Sequence, residues 1–198
     1  ELQFVRSCAE KFLSSLHLMK GLVHVSRNET WMDAAYGSDY RDGARIEIQA
    51  LTLAALRVCQ TLTGKGHDVE RQLTTATREF WNGTYLWDGV EDPTMRPNVF
   101  IAAYAYPALL SKEEWESCVD AILPALWLEW GGLSTIDTKH VLFRDTHSGE
   151  NNESYHRGDS WFWLNNLAAI VLHRLSPKKY ANYIEKIVEA STQDILFS

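Results

Sequence analysis

The chain has 198 residues, 45% hydrophobic and 23% charged, and 26 acidic against 19 basic residues leave a net charge of −7. This composition belongs to a globular domain long enough for one sizeable core, and it excludes a disordered tail, a collagen-like fibre and a coiled coil. The scattered basic residues exclude a nucleic-acid partner, and the longest apolar run, Val99 to Leu110, is too short to span a membrane.

Helical patterns follow one another along the chain. Residues 3–20 predict an amphipathic helix with apolar positions at Phe4, Val5, Cys8, Phe12, Leu13 and Leu16. Residues 44–63 predict a long, strongly apolar helix closed by Gly64. Asp68 is positioned to cap a helix over 68–81. Pro97 suits the first turn of a helix running to about Leu110. Ser111 with Glu114 three residues on is a capping-box signature for 112–126. Asp159 or Ser160 opens a helix over 160–174, and Pro177 stands in the first turn of the last one.

Short connections carry Gly, Ser or Pro, whereas 21–43, 82–96 and 127–159 are long and rich in Trp, Asp, Glu, His and Tyr. Helix hairpins joined by such crossovers predict a toroid of paired helices whose long loops gather at one rim. Brief strand pairs are expected at Gly83–Trp87 and Lys139–Phe143. The chain begins at Glu1, and both ends lie in helical patterns, so 1–198 reads as one partial domain of a longer polypeptide. No secretory signal is recognisable, and a cytoplasmic location is expected.

Cys8, Cys59 and Cys118 are far apart, which predicts buried free thiols and neither a disulfide nor a CxxC metal site. Seven histidines lack ligand spacing, and no phosphate loop, HExxH or GxSxG is present, so neither a metal nor an organic cofactor is expected. Aromatics make up 12% of the chain and include eight tryptophans. Several stand beside acids in loops: Trp31 near Asp33, Trp87 before Asp88, Trp161 after Asp159. Flat rings beside carboxylates suit a pyranose, with its apolar C–H face and polar rim, and fit glycoside hydrolysis by paired acids.

Four stretches carry these residues: Trp31-Met32-Asp33; Arg41-Asp42-Gly43 leading to Ile46-Glu47-Ile48; Arg96-Pro97-Asn98; and Tyr155-His156-Arg157-Gly158 followed by Trp161-Phe162-Trp163-Leu164. In order and approximate spacing, the set resembles the carboxy-terminal glucosidase domain of glycogen debranching enzymes. The resemblance implies an all-α fold, part of an (α/α)6 barrel, with metal-free inverting hydrolysis of α-1,6-linked glucose. It also implies that Asp33 is the general acid. The family's general base is a glutamate near the end of the domain, and no counterpart stands before Ser198. The chain is therefore expected to be roughly the second half of a catalytic domain and inactive in isolation.

The residues allow more than one role each. Asp33, between Trp31 and Ala34-Ala35, sits in an apolar neighbourhood that would favour its protonated form; otherwise it is a cap or an ion-pair partner. Glu47, in an apolar helix, either points into the cleft, binding glucose hydroxyls or positioning Arg41, or forms a buried pair with Arg45, Arg96 or Arg157. Arg41 and Asp42 could bind hydroxyls at the rim, with Asp42 alternatively capping the helix. Arg96 could orient an acid of the site, and Asn98 could satisfy a helix end. His156 could donate to a sugar hydroxyl, Asp159 could accept one or cap, and Trp161 could stack on a ring, while Trp163 faces away into the core. Glu129, Asp137 and Glu153 are expected at the surface.

The expected partner is an α-glucan or oligosaccharide, with no nucleic acid and no membrane. The remainder of the domain, or a second copy, would cover the apolar face of 44–63. A related α-glucosidase or trehalase-like enzyme, and a carbohydrate-binding helical domain without catalysis, are the alternative functions.

Overall fold

In the computed structural model, residues 1–33, 41–149 and 152–197 are described. Among them are seven α-helices: α1 (Leu2–Ser15), α2 (Ile46–Thr63), α3 (His67–Thr77), α4 (Asn98–Ala105), α5 (Lys112–Leu126), α6 (Phe162–Leu175) and α7 (Ala181–Phe197). The one ladder is a small antiparallel hairpin of β1 (Trp127–Leu128) and β2 (Gly132–Leu133). The all-α expectation holds.

Where local chemistry is decisive, the helices end where expected. Gly64 adopts φ 72° and ψ 9°, a left-handed conformation that glycine enters without steric cost, and its N–H bonds to the carbonyl of Gln60. At the start of α5 the Ser111 Oγ accepts from the Glu114 N–H at 3.2 Å, and the Glu114 carboxylate accepts from the Ser111 N–H at 2.7 Å. Arg78 clamps the same carboxylate at 2.7 and 2.8 Å, and these bonds hold Glu114 down at about 2.

Other boundaries differ, each for a local reason. Gly66 rather than Asp68 precedes α3, so Asp68 falls inside the first turn, where it pairs with Arg71 and still faces the positive helix end. The helix then tightens into a 3-10 turn at Arg78–Phe80. Pro107 lacks an N–H and forces Tyr106 out of helical geometry (φ −140°, ψ 70°), so α4 stops at Ala105. Neither Asp159 nor Ser160 caps α6, because Asp159 bonds to His147 and Ser160 to Asn165. The expected strand at 83–87 is reduced to one antiparallel bridge, Leu86 to Trp81, beside a tight turn in which the Asn82 side chain accepts from the Thr84 and Tyr85 amides. At 139–143 successive turns replace the strand. Cys59 and Cys118 are buried, but Cys8 is exposed, because α1 buries fully only Ala9.

α2, α4 and α6 lie side by side, with α1 and α3 against α2, and α5 and α7 against α6. Ile46, Ala50, Leu53 and Leu56 form the fully buried stripe of α2, at spacings of four and three. Leu51 and Val58 on its other side are exposed. Among the described residues no helix is long and apolar enough to cross a membrane.

The core and the capping box contribute unequally to stability. Leu53→Ala should cost about 2–5 kcal/mol, a transfer loss plus a cavity, and Ser111→Ala only about 1 kcal/mol. Urea denaturation checks this ordering, and equal losses would contradict it.

Candidate functional site

The site is built on one buried carboxylate. Asp88 sits in the loop before α4, and its backbone carbonyl accepts the first amide of α2, from Ile46, at 3.0 Å. Its buried side chain accepts from Arg41 Nε and Nη2 at 3.0 Å each, and from Asn98 Nδ2 at 2.7 Å. Arg41 turns its other edge to Glu47, with Nη1 and Nη2 donating at 2.8 and 3.2 Å, and Nη1 also donates to Thr30 Oγ1 at 2.9 Å. Arg45 reaches Asp88 at 3.4 Å and Asp92 at 2.6 Å. It can lie there because residue 89 is glycine: a Cβ would come within 2.6 Å of Arg45 Nη1. Burial by itself would lower the Arg41 pKa, but Asp88 and Glu47 outweigh it and hold the guanidinium firmly charged. Burial pushes the Glu47 carboxyl up, against the pull of Arg41.

Asn98, the first residue of α4, joins this ionic layer to an aromatic one. Its Nδ2 donates to Asp88 while its Oδ1 accepts from Trp31 Nε1 at 2.7 Å. Trp31 in turn meets three rings edge-on: Trp163 at 4.9 Å, His156 at 5.2 Å and Trp161 at 5.9 Å between centroids. His156 stacks on Trp161 at 5.4 Å and touches Tyr155 at 4.6 Å. Arg96 braces the histidine from behind, its Nη1 donating to the His156 carbonyl at 2.8 Å and to the Thr135 carbonyl at 3.0 Å. The amino ends of α2, α4 and α6 thereby converge.

Asp33 lies at the edge of this cluster. Its Oδ1 is 3.5 Å from His156 Nε2, and its side chain is 57% exposed, while the histidine is buried. Burial pushes the His156 pKa down to about 4, Asp33 raising it only in part, so the ring is neutral at neutral pH. Neither its Nδ1 nor its Nε2 has a hydrogen-bond partner among the described residues.

Of the predicted residues, Trp31, Asp33, His156 and Trp161 come together at this face. The apolar neighbours expected around Asp33 at 34–35 lie outside the described residues, and the carboxylate itself opens to solvent. Arg41, Glu47 and Arg96 lie buried beneath the face, engaged with one another's neighbours. Glu47 pairs with Arg41, not with Arg45, Arg96 or Arg157 as its buried alternative had it. Asp42 is exposed, and its carbonyl accepts from Arg45 Nε. Asp159 bonds to His147 Nδ1 at 2.9 Å.

Trp163 corrects the expectation of a core residue, being 42% exposed and edge-on to Trp31. Helical angles do not apply across this boundary, because Trp161 is extended (φ −115°, ψ 121°) and the helix begins only at Phe162. Asp88, Thr30 and Tyr155 went unassigned. The signal for Asp88 was present, since a carboxylate between Leu86-Trp87 and Gly89-Val90 needs a buried partner. Among the described residues no three His, Cys, Asp or Glu side chains gather to hold a metal ion.

The family model described as amylo-alpha-1,6-glucosidase matches residues 9–195, nearly the whole chain. Curated protein sequences give no significant match.

Two outcomes follow from this geometry. Asp88→Ala leaves Arg41 buried without one of its two carboxylate partners and should cost about 3–5 kcal/mol in urea denaturation, whereas exposed Asp42→Ala should cost under about 0.5 kcal/mol. His156 takes up its proton more readily unfolded, near its ordinary 6.5, than folded, at about 4. Its contribution to stability is thus complete above pH 6.5 and lost as pH falls towards 4, and His156→Gln should flatten the stability profile across that window. A profile unchanged by the substitution would contradict the assignment.

Proposed function

The chain belongs to the amylo-alpha-1,6-glucosidase family, and from that membership we propose that Asp33 is the general acid of an inverting glycosidase removing α-1,6-linked glucose from glycogen-type branch points. The helices α1–α7 are then part of an (α/α)6 barrel, with the amino ends of α2, α4 and α6 on its catalytic rim. The observation that carries the reading is the Asp33–His156 contact at 3.5 Å, at the open edge of a wall of Trp31, Tyr155, Trp161 and Trp163.

In the reaction, the Asp33 carboxyl passes its proton to the glycosidic oxygen as the C1–O bond breaks and its electron pair moves to that oxygen. Water, deprotonated by a base on the opposite face, forms the new bond to C1. Inversion needs those two carboxyl groups about 6.5–9.5 Å apart to admit the water. Neutral His156 stands 3.5 Å from Asp33 without a charge, so the acid is not locked into an ion pair. The indole faces offer apolar surface to the sugar's C–H groups. Glu47 and Asp88 are buried on Arg41 and cannot activate water, so the base is assigned to neither. The residues described here are expected to hydrolyse nothing without it.

A general acid matters only for a leaving group that needs a proton. In the intact protein, Asp33→Asn should slow glucose release from an α-1,6-branched dextrin by about 10²–10⁴-fold. It should retain most turnover of α-glucosyl fluoride, whose leaving group departs unprotonated. A near-normal rate on dextrin, or equal loss on both substrates, would overturn the assignment.

A further inference from the structure

A cavity opens beside the aromatic wall, between the β1–β2 hairpin, the start of α6 and the end of α7. Its volume is about 560 Å³, within the ~300–1,000 Å³ common for small-ligand sites. Two aromatic side chains stand open to it: Trp130, 60% exposed at the hairpin tip, and Phe162, 44% exposed. Polar groups share the lining. Ser160 and Ser191 already bond to Asn165 and Asn166, while the side chains of Gln193 and Asp194 make no hydrogen bond to another described residue.

The indole is held in place. Trp130 lies over Gly132, where a Cβ would collide with the indole Cη2, so the missing side chain is what lets the ring settle there. Gly131, at φ 105°, presses against the Lys186 carbonyl of α7, where a Cβ would come within 2.5 Å. The Gly131 N–H also closes the turn on the Leu128 carbonyl at 2.9 Å. A large apolar ring held open to solvent beside unengaged amide and carboxylate groups has the composition of a sugar platform.

The cavity adjoins the Asp33 face. Along residues 160–163 the side chains alternate: Ser160 and Phe162 line the cavity, while Trp161 and Trp163 contact Trp31. Both sites therefore flank the amino end of α6, on opposite sides of one short segment.

We infer that this cavity is a second glucose-binding subsite, in which Trp130 stacks on a residue of the α-glucan chain while Gln193 and Asp194 take its hydroxyls. The inference rests on the glycosidase reading for its choice of sugar, and it assigns the polymer's path: across the start of α6 from Asp33 to the hairpin tip.

Binding can be read without turnover. In the intact protein carrying Asp33→Asn, maltotetraose is titrated by calorimetry. Adding Trp130→Ala should weaken binding about tenfold, and Gln193→Ala should weaken it severalfold, both positions being exposed enough to leave the core undisturbed. Trp130→Phe, which keeps a ring, should recover most of the affinity. No maltotetraose binding, or the same affinity in both truncated variants, would overturn the subsite. Because the titration needs no catalysis, failure of the dextrin assay with these differences intact counts against the hydrolase reading alone.

Discussion

The bidentate grip of Arg41 on two buried carboxylates is the constraint from which the rest of the site follows. Asp88 and Glu47 come from different segments, one before α4 and one in the first turn of α2, and a single guanidinium spans both. Such a buried network adds little net stability over apolar packing, since desolvation offsets most of the Coulomb attraction. What it contributes is position. Asn98 extends it to Trp31, and Trp31 extends it to the rings around His156, so one path of hydrogen bonds and ring contacts links the starts of α2, α4 and α6.

This division of labour accounts for the different fates of the charged residues. Arg41, Glu47 and Arg96 lie below the surface, where each fixes a neighbour, while Asp33 presents a carboxylate at the open edge of the aromatic wall. The general acid proposed at Asp33 has to reach substrate, whereas a positioning group has to be immobile. The neutral state of His156 fits the same logic, because burial against Trp161 removes its charge while leaving Nε2 directed at Asp33.

Much of the fold was legible because local chemistry decided it: Gly64 closes α2, and Ser111 with Glu114 opens α5. Competition hid the rest. Asp68 and Asp159 look like caps in sequence, but Arg71 and His147 take their carboxylates. The convergence of Trp31, Asp33, His156 and Trp161 could be read from motif order. The pairing of Arg41 with Asp88 could not, since nothing in a sequence says which carboxylate 47 positions away will meet a given arginine. Helical spacing directs Trp163 away from Trp161 and into the core, but the backbone at Trp161 is still extended, which turns Trp163 towards Trp31 instead.

The central claim is that a bond to C1 of an α-linked glucose is broken with inversion at the Asp33 face. Proton NMR of the intact protein acting on an α-1,6-branched dextrin, recorded before mutarotation equilibrates the product, reads the stereochemistry directly. The account predicts that β-glucose appears first. Initial release of the α-anomer, or release of no glucose at all, would contradict it.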